Sequence, residues 1–155
     1  EINISQIQHP LSYFVHMLLE KRRPAIRGVA EEIHDHIFID DVVAANLKVL
    51  TCGHNQTMHI SSGQGHTLHQ LYQAVRSLLR TDIEPVYISN RLVEDSSCIL
   101  DNTLARHELK WRPEIDFMLG IPLAVERLKE HIEAITRVKS VKDAAVRQPH
   151  LISVR

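Results

Sequence analysis

The sequence lacks most of the features that would place it quickly. It has two cysteines, Cys52 and Cys98, far apart and in no Cys-x-x-Cys pattern. That excludes a disulfide scaffold and a four-thiolate metal clamp, and two free thiols in a reducing cytoplasm are expected. No apolar run approaches the ~20 residues of a membrane span, so no membrane role is expected. The N-terminus has no basic segment followed by an apolar one, so no signal peptide is visible. Neither charge sign dominates: eighteen Lys and Arg face nineteen Asp and Glu, for a formal charge of -1. A nucleic-acid protein driven by a global positive field is thereby excluded. There is no internal repeat and no low-complexity tract. Position 1 is Glu rather than Met, as expected of a fragment or a processed product.

What remains is an ordinary globular composition. The chain has 155 residues, 44% hydrophobic and 24% charged, which fits one domain. A chain of that length buries roughly 70% of its unfolded surface and needs no staple to fold.

Helical and extended patterns alternate, which predicts an α/β fold. Pro10 suits a helix first turn, and Leu11, Phe14, Val15, Leu18 and Leu19 follow at helical spacing. Lys21-Arg22-Arg23 complements the negative helix end, and Pro24 stops it. Ala25 to Arg27 reads as a short extended piece closed by Gly28. Ile37-Phe38-Ile39 reads as a strand, with Asp40-Asp41 opening a helix through Leu50. That helix is apolar on more than one face, so it is expected to lie buried between layers. Gly53-His54-Asn55 is a turn, Thr57 to Ile60 a second strand, and Ser61 to Gly65 a loop. Thr67 and Gln70 have capping-box spacing ahead of the stripe Leu68, Leu71, Tyr72, Val75, Leu78, Leu79. Val86-Tyr87-Ile88 is a third strand, Ile99-Leu100 a short extended pair, and Asp101 caps a short helix through Leu109. Asp116 starts the last helix, with Pro122 tolerated near its first turn and a stripe from Ile121 to Ile135. Beyond Arg137 the pattern weakens. Residues 1–137 are expected to form the folded unit, and 138–155 a weakly ordered tail in which Lys139, Lys142, Arg147 and Arg155 face Asp143.

Several residue groups could carry chemistry. Eleven histidines invite a metal reading. His34 and His36 would share one face of an extended segment, Cys52 neighbours His54, and His66 and His69 are three apart. A zinc site needs four converging ligands, usually as two close pairs, and no two of these sets pair at recognisable spacing. Surface or capping histidines explain them more simply, and no metal is expected. Asp40-Asp41 could hold a cation, but a helix start accounts for two carboxylates there. Tyr72 with Arg76, and Tyr87 with Arg91, place a cation four residues after a phenol. Arg exchanges no proton usefully, and Tyr72 lies on the apolar stripe of its helix. Ser62-Gly63-Gln64-Gly65 precedes a helix start, where free N–H groups bind anions. A lone Gly-x-Gly is equally an ordinary turn, and the third glycine of the dinucleotide fingerprint is missing.

Taken in order, these segments resemble the C-terminal half of the extended short-chain dehydrogenase/reductase family, the NAD-dependent nucleotide-sugar epimerases and dehydratases. Asp35-His36-Ile37-Phe38-Ile39-Asp40-Asp41-Val42-Val43-Ala44-Ala45-Asn46 is similar to the family's "RDFIYVDDVVxAN". His59-Ile60-Ser61-Ser62-Gly63 is similar to "NIGSG", and Asp101 through Leu109-Lys110-Trp111-Arg112-Pro113 to "D…K…LGWxP". The match runs from about residue 10 to 136.

The resemblance implies the last strands of the nucleotide-binding sheet plus a small substrate-binding domain. It implies a nucleotide-sugar ligand, a UDP-sugar first. In the family two arginines hold the pyrophosphate. One falls at His34, and the other matches Arg91 within Arg91-Leu92-Val93-Glu94. Glu94 stands where an Asp binds the ribose hydroxyls, and the backbone of Ala25, Ile26 and Arg27 matches the stretch lying against the base. As an isolated residue, Arg91 is equally read as an ordinary surface arginine.

The family's catalytic Tyr-x-x-x-Lys is absent, since no Tyr here is followed four residues on by Lys. So is the glycine-rich NAD loop. No catalytic or cofactor residue is therefore assigned, and NAD is expected only in the complete family. A partial parallel sheet leaves unpaired edges and an uncovered apolar face. Self-association, or a partner that completes the sheet, is expected. A non-catalytic interaction module, an inert enzyme remnant, is the competing expectation, with a metal-binding module behind it.

Overall fold

A computed structural model describes residues 9–27, 32–88 and 97–146. Helix α1 (Pro10–Leu19) buries Phe14, Val15, Met17 and Leu18. It ends where Lys21 takes a left-handed φ of 56° and Arg22 N–H reaches back to the Met17 carbonyl, 2.8 Å. Strand β1 (Ala25–Arg27) follows, and Ala25 N–H donates to Tyr13 Oη at 2.9 Å, fastening strand to helix. Its partner is β4 (Val86–Ile88), parallel, with Ala25 opposite Val86 and Arg27 opposite Ile88.

Strand β2 (Ile33–Asp35) pairs antiparallel with β3 (Gly65–Thr67), so that His34 faces His66. Helix α2 (Ile39–Val49) lies between them in sequence. Helix α3 (Leu68–Leu78) opens on the expected capping box: Thr67 Oγ1 accepts from Gln70 N–H at 3.1 Å, and Gln70 Oε1 accepts from Thr67 N–H at 2.9 Å. Short α4 (Thr103–Glu108) follows Asp101, whose carboxylate accepts the Thr103 N–H at 2.8 Å. Helix α5 (Phe117–Val146) begins after Asp116, which accepts the Leu119 N–H at 2.8 Å.

Two apolar clusters hold these elements. The larger joins α1, β1, α3 and α5 through Phe14, Val15, Ile26, Leu71, Tyr72, Val75, Ile121 and Val125. Phe14 meets Tyr72 edge-on, with centroids 5.5 Å apart, and the buried Tyr72 hydroxyl donates to the Ile83 carbonyl. Burial raises the Tyr72 pKa, as expected of a packing residue rather than a proton shuttle. The smaller cluster is Ala45, Ala105, Leu109 and Trp111, with Met58 and Ile60 packed against it.

Four local expectations need correction. Ile37-Phe38-Ile39 is not a strand: the strand comes earlier, at Ile33–Asp35, and Ile39 already opens α2. Thr57 to Ile60 forms no ladder, because no described strand lies beside it. Ile99-Leu100 forms no strand either; the bridge there joins Cys98 to His34. Helix α2 is not sandwiched among the described residues: only Asp41 and Ala45 are buried, while Leu47 and Leu50 are 63% and 73% exposed. Helix α5 continues past Arg137 to Val146. The remainder of the expected tail, 147–155, lies outside the described residues.

Candidate functional site

The described residues among those assigned from sequence fall on two short sheets. Ala25 and Ile26 sit on β1, paired to β4, and His34 sits on β2. The Ile26 side chain is 1% exposed and belongs to the core, so only its backbone is free to meet a ligand. Arg91 and Glu94 lie outside the described residues. The described residues on either side of them are fixed to the other two stretches. Before them, Ile88 pairs with Arg27 of β1. After them, Cys98 bridges to His34, with Cys98 N–H on the Ile33 carbonyl at 3.0 Å and Ser97 Oγ accepting from Ile33 N–H at 3.0 Å. The described residues flanking Arg91 and Glu94 in sequence thus lie beside β1 on one side and beside β2 on the other.

His34 belongs to a histidine face. The two-residue period of a strand puts His34 and His36 on one side, and their rings are 6.2 Å apart. Register places His66 across from His34. His66 stacks on Phe117 at 3.9 Å and 6°, and the His36 ring lies 5.9 Å from the same phenyl. Among the described residues, His36 Nε2 and His66 Nδ1 are buried with no hydrogen-bond partner. A small cavity of about 80 Å³ touches both rings. The His36 pKa is lowered, first by burial and then by His34 and His66, against an opposing pull from Asp35. Glu32, itself buried, lies 3.6 Å from His34 Nε2. Farther along, His69 Nδ1 meets Tyr87 Oη at 2.6 Å, tying α3 to β4. Two larger cavities flank this face, of about 680 and 470 Å³, one walled by His66 and His69 and the other by His36 and Phe38; neither includes His34, Ala25 or Ile26.

The other candidates resolve into structure. Asp35 Oδ1 accepts from Ser62 N–H at 2.9 Å and Ser62 Oγ at 2.6 Å, and Oδ2 accepts from Gly63 N–H at 3.0 Å. The loop Ser62-Gly63-Gln64-Gly65 does bind an anion at its N–H groups, but the anion is a carboxylate of its own chain. Asp40 and Asp41 part company. Asp40 makes a bidentate pair with Arg127 at 2.8 and 3.0 Å, which lowers the Asp40 pKa, and that guanidinium lies 5.1 Å over the Phe38 ring. Asp41 turns inward and accepts the N–H groups of Glu114 and Ile115 at 3.0 and 3.1 Å. Arg76 pairs with Glu84 at 2.7 Å rather than with a phenol. Cys52 and Cys98 are free thiols. No group of three or more His, Cys, Asp or Glu able to hold a metal is found among the described residues. No described helix is long and apolar enough to cross a membrane.

Sequence reasoning set His66 beside His69 rather than across from His34, and it missed Phe117 and the carboxylate role of Asp35. The spacing of His34 and His36 was the one available signal, since the pairing with His66 depends on a register across thirty-odd intervening residues, counted roughly from the ladder.

No family model matches the chain. It is 30% identical over 117 residues to a UDP-glucose 4-epimerase from Mycolicibacterium smegmatis, covering 75% of this chain and 37% of that protein. It is 28% identical over 121 residues to a putative UDP-glucose 4-epimerase from Methanocaldococcus jannaschii, covering 78% and 39%. Among solved structures, UDP-glucose 4-epimerase from Thermotoga maritima with UDP-glucose matches at a TM-score of 0.74 and 31% identity, over 81% of this chain and 42% of that one. The chain thus spans about two-fifths of the length of the proteins it matches.

Proposed function

Because the chain is a relative of the nucleotide-sugar epimerases and dehydratases in the extended short-chain dehydrogenase/reductase family, matching about two-fifths of their length, we propose that it is their C-terminal portion and binds a nucleoside-diphosphate sugar, a UDP-sugar in the first instance. His34 and Arg91 grip the diphosphate, Glu94 takes the ribose hydroxyls, and the backbone of Ala25, Ile26 and Arg27 lies along the base. The observation that carries this reading is where the described residues on either side of Arg91 and Glu94 are fastened. Arg91 and Glu94 occupy a segment whose flanks are fastened to the other two stretches, at Arg27 by Ile88 and at His34 by Cys98. A guanidinium suits a phosphate because its fork matches two oxygens at once.

The described residues do not fit the family's NAD. Gly63 N–H, in the glycine-containing loop, is already satisfied by Asp35. No Tyr-x-x-x-Lys stands in the sequence. Hydride and proton transfer are accordingly not assigned to these 155 residues.

A second reading has its own observation. Ile39, Val43 and Leu47 on α2 and Leu50 at its C-cap recur at helical spacing and are all exposed, and β4 exposes Val86, Tyr87 and Ile88 in a parallel pair. Parallel strands are ordinarily buried on both faces. The chain then acts as an interaction module, covered by a second copy or by a partner that completes the sheet.

Calorimetry separates the two. UDP and UDP-glucose binding that is lost in Arg91→Ala supports the nucleotide pocket. Absence of binding by the unaltered chain, with association in light scattering, favours the interaction module.

A further inference from the structure

A polar cleft runs along α2 from Asp41 to Lys48, and none of the histidines lines it. It has a volume of about 620 Å³, and its lining includes Lys48, Arg106, Lys110 and Arg112. The four cations come from three places: the last turn of α2, the last turn of α4, and the loop that follows α4. The acids on the wall are Asp41 and Glu114. Asp41 is already engaged by the N–H groups of Glu114 and Ile115. Glu108 stands nearby, and its carboxyl is lowered first by its hydrogen bond from His107, with Lys110 a lesser influence. Four positive side chains thus face two negative ones in a chain whose formal charge is -1. Among the described residues, none of the four makes a side-chain ion pair or hydrogen bond.

Helix ends explain part of this, since Lys48 and Arg106 complement the carbonyl ends of their helices. Lys110 and Arg112 lie beyond α4 and have no such duty. Lys110 has a φ of 48°, a conformation that glycine adopts freely and a lysine does not. Between them Trp111 is 3% exposed and donates its Nε1–H to the Asp41 carbonyl at 3.0 Å. The two cations therefore flank a fixed anchor, and little ordering is needed to present them together.

We propose that this cleft binds a small molecule carrying at least two phosphate groups, held by Lys110 and Arg112 with Lys48 and Arg106 also on its lining. The volume falls in the range of small-ligand sites, and Arg with Lys is the usual phosphate-binding pair of residue types. Its lining includes neither His34 nor any of residues 25–27.

Inorganic tripolyphosphate is the probe, titrated into the full chain by calorimetry at low and at moderate ionic strength. Saturable binding is expected, with one event belonging to this cleft. Lys110→Gly and Arg112→Gln should each weaken it about tenfold, the loss of one charge-assisted contact. Lys110→Gly should also leave the melting temperature unchanged or higher, because it relieves a left-handed lysine. Arg91→Ala should remove at most a second binding event, and leave the one that the two cleft variants weaken. No binding, or binding lost in Arg91→Ala and kept in both cleft variants, overturns the proposal. So does duplex DNA that binds through Lys110 and Arg112 where tripolyphosphate does not.

Discussion

Two adjacent carboxylates provide a sharp test of how the fold is held. Asp41 is 4% exposed, and both its oxygens accept backbone N–H groups, from Glu114 and Ile115, at 3.0 and 3.1 Å. Its carbonyl accepts the Trp111 indole at 3.0 Å. The residue pins the loop before α5 to the start of α2. Asp41→Ala leaves two part-buried N–H groups without their acceptor, at about 1–3 kcal/mol for each group that water does not reach. Partial rehydration brings the expected total to about 2–4 kcal/mol, a large share of the ~5–15 kcal/mol typical of a domain. Asp41→Asn retains one acceptor and should cost about half as much. Asp40→Ala removes an exposed pair with Arg127 and should change stability little, and less still at high salt. Urea unfolding followed by tryptophan fluorescence reads this locally, because Trp111 is the only tryptophan and packs beside Asp41. Asp41→Ala should lower the midpoint and shift native emission to the red. Equal costs for Asp40→Ala and Asp41→Ala, or a neutral Asp41→Ala, would refute the reasoning.

Other outcomes follow from the same geometry. His36 has a folded pKa below its ordinary 6.5, so the unfolded chain takes up its proton first. Its contribution to stability is fully present above pH 6.5 and is lost as pH falls from there toward the folded value. His36→Phe should flatten that acid limb in melting curves, and an unchanged limb counts against the buried neutral ring. A methyl on Gly65 would meet Ile33 Cγ2 at 2.3 Å and Ile99 Cδ1 at 2.7 Å. Gly65→Ala should therefore cost about 1–3 kcal/mol by overpacking, measured as a lowered urea midpoint. Val43→Lys with Leu47→Glu on the outer face of α2 should abolish association in light scattering while leaving the melting temperature of the monomer nearly unchanged. Association that survives the pair places the contact elsewhere.

Local signals in the sequence translated well. Thr67 and Gln70 announced α3, Pro10 and Pro24 bracketed α1, and Asp116 opened α5, because caps and prolines act through neighbours in the chain. Strands were less legible. Ile37 to Ile39 and Thr57 to Ile60 have the apolar content of strands, but a strand exists only where a neighbour supplies the ladder. Pairing went instead to Ile33–Asp35 and Gly65–Thr67. The apolar faces of α2 suggested burial, yet Val43 and Leu47 are exposed among the described residues, since hydrophobicity states what a face needs and not what covers it. At the site, the shared side of His34 and His36 could be read from period two. The arrival of His66 and Phe117, and the capture of the Ser62-Gly63 loop by Asp35, depend on long-range approach that no local pattern encodes.

The grip on a nucleoside diphosphate is tested most directly by titrating the isotope-labelled chain with UDP and following backbone amide resonances. Residues 25–27, His34, and the stretch from Arg91 to Glu94 should shift together with one dissociation constant. Shifts confined to one of the three stretches, or none at saturating UDP, would contradict it.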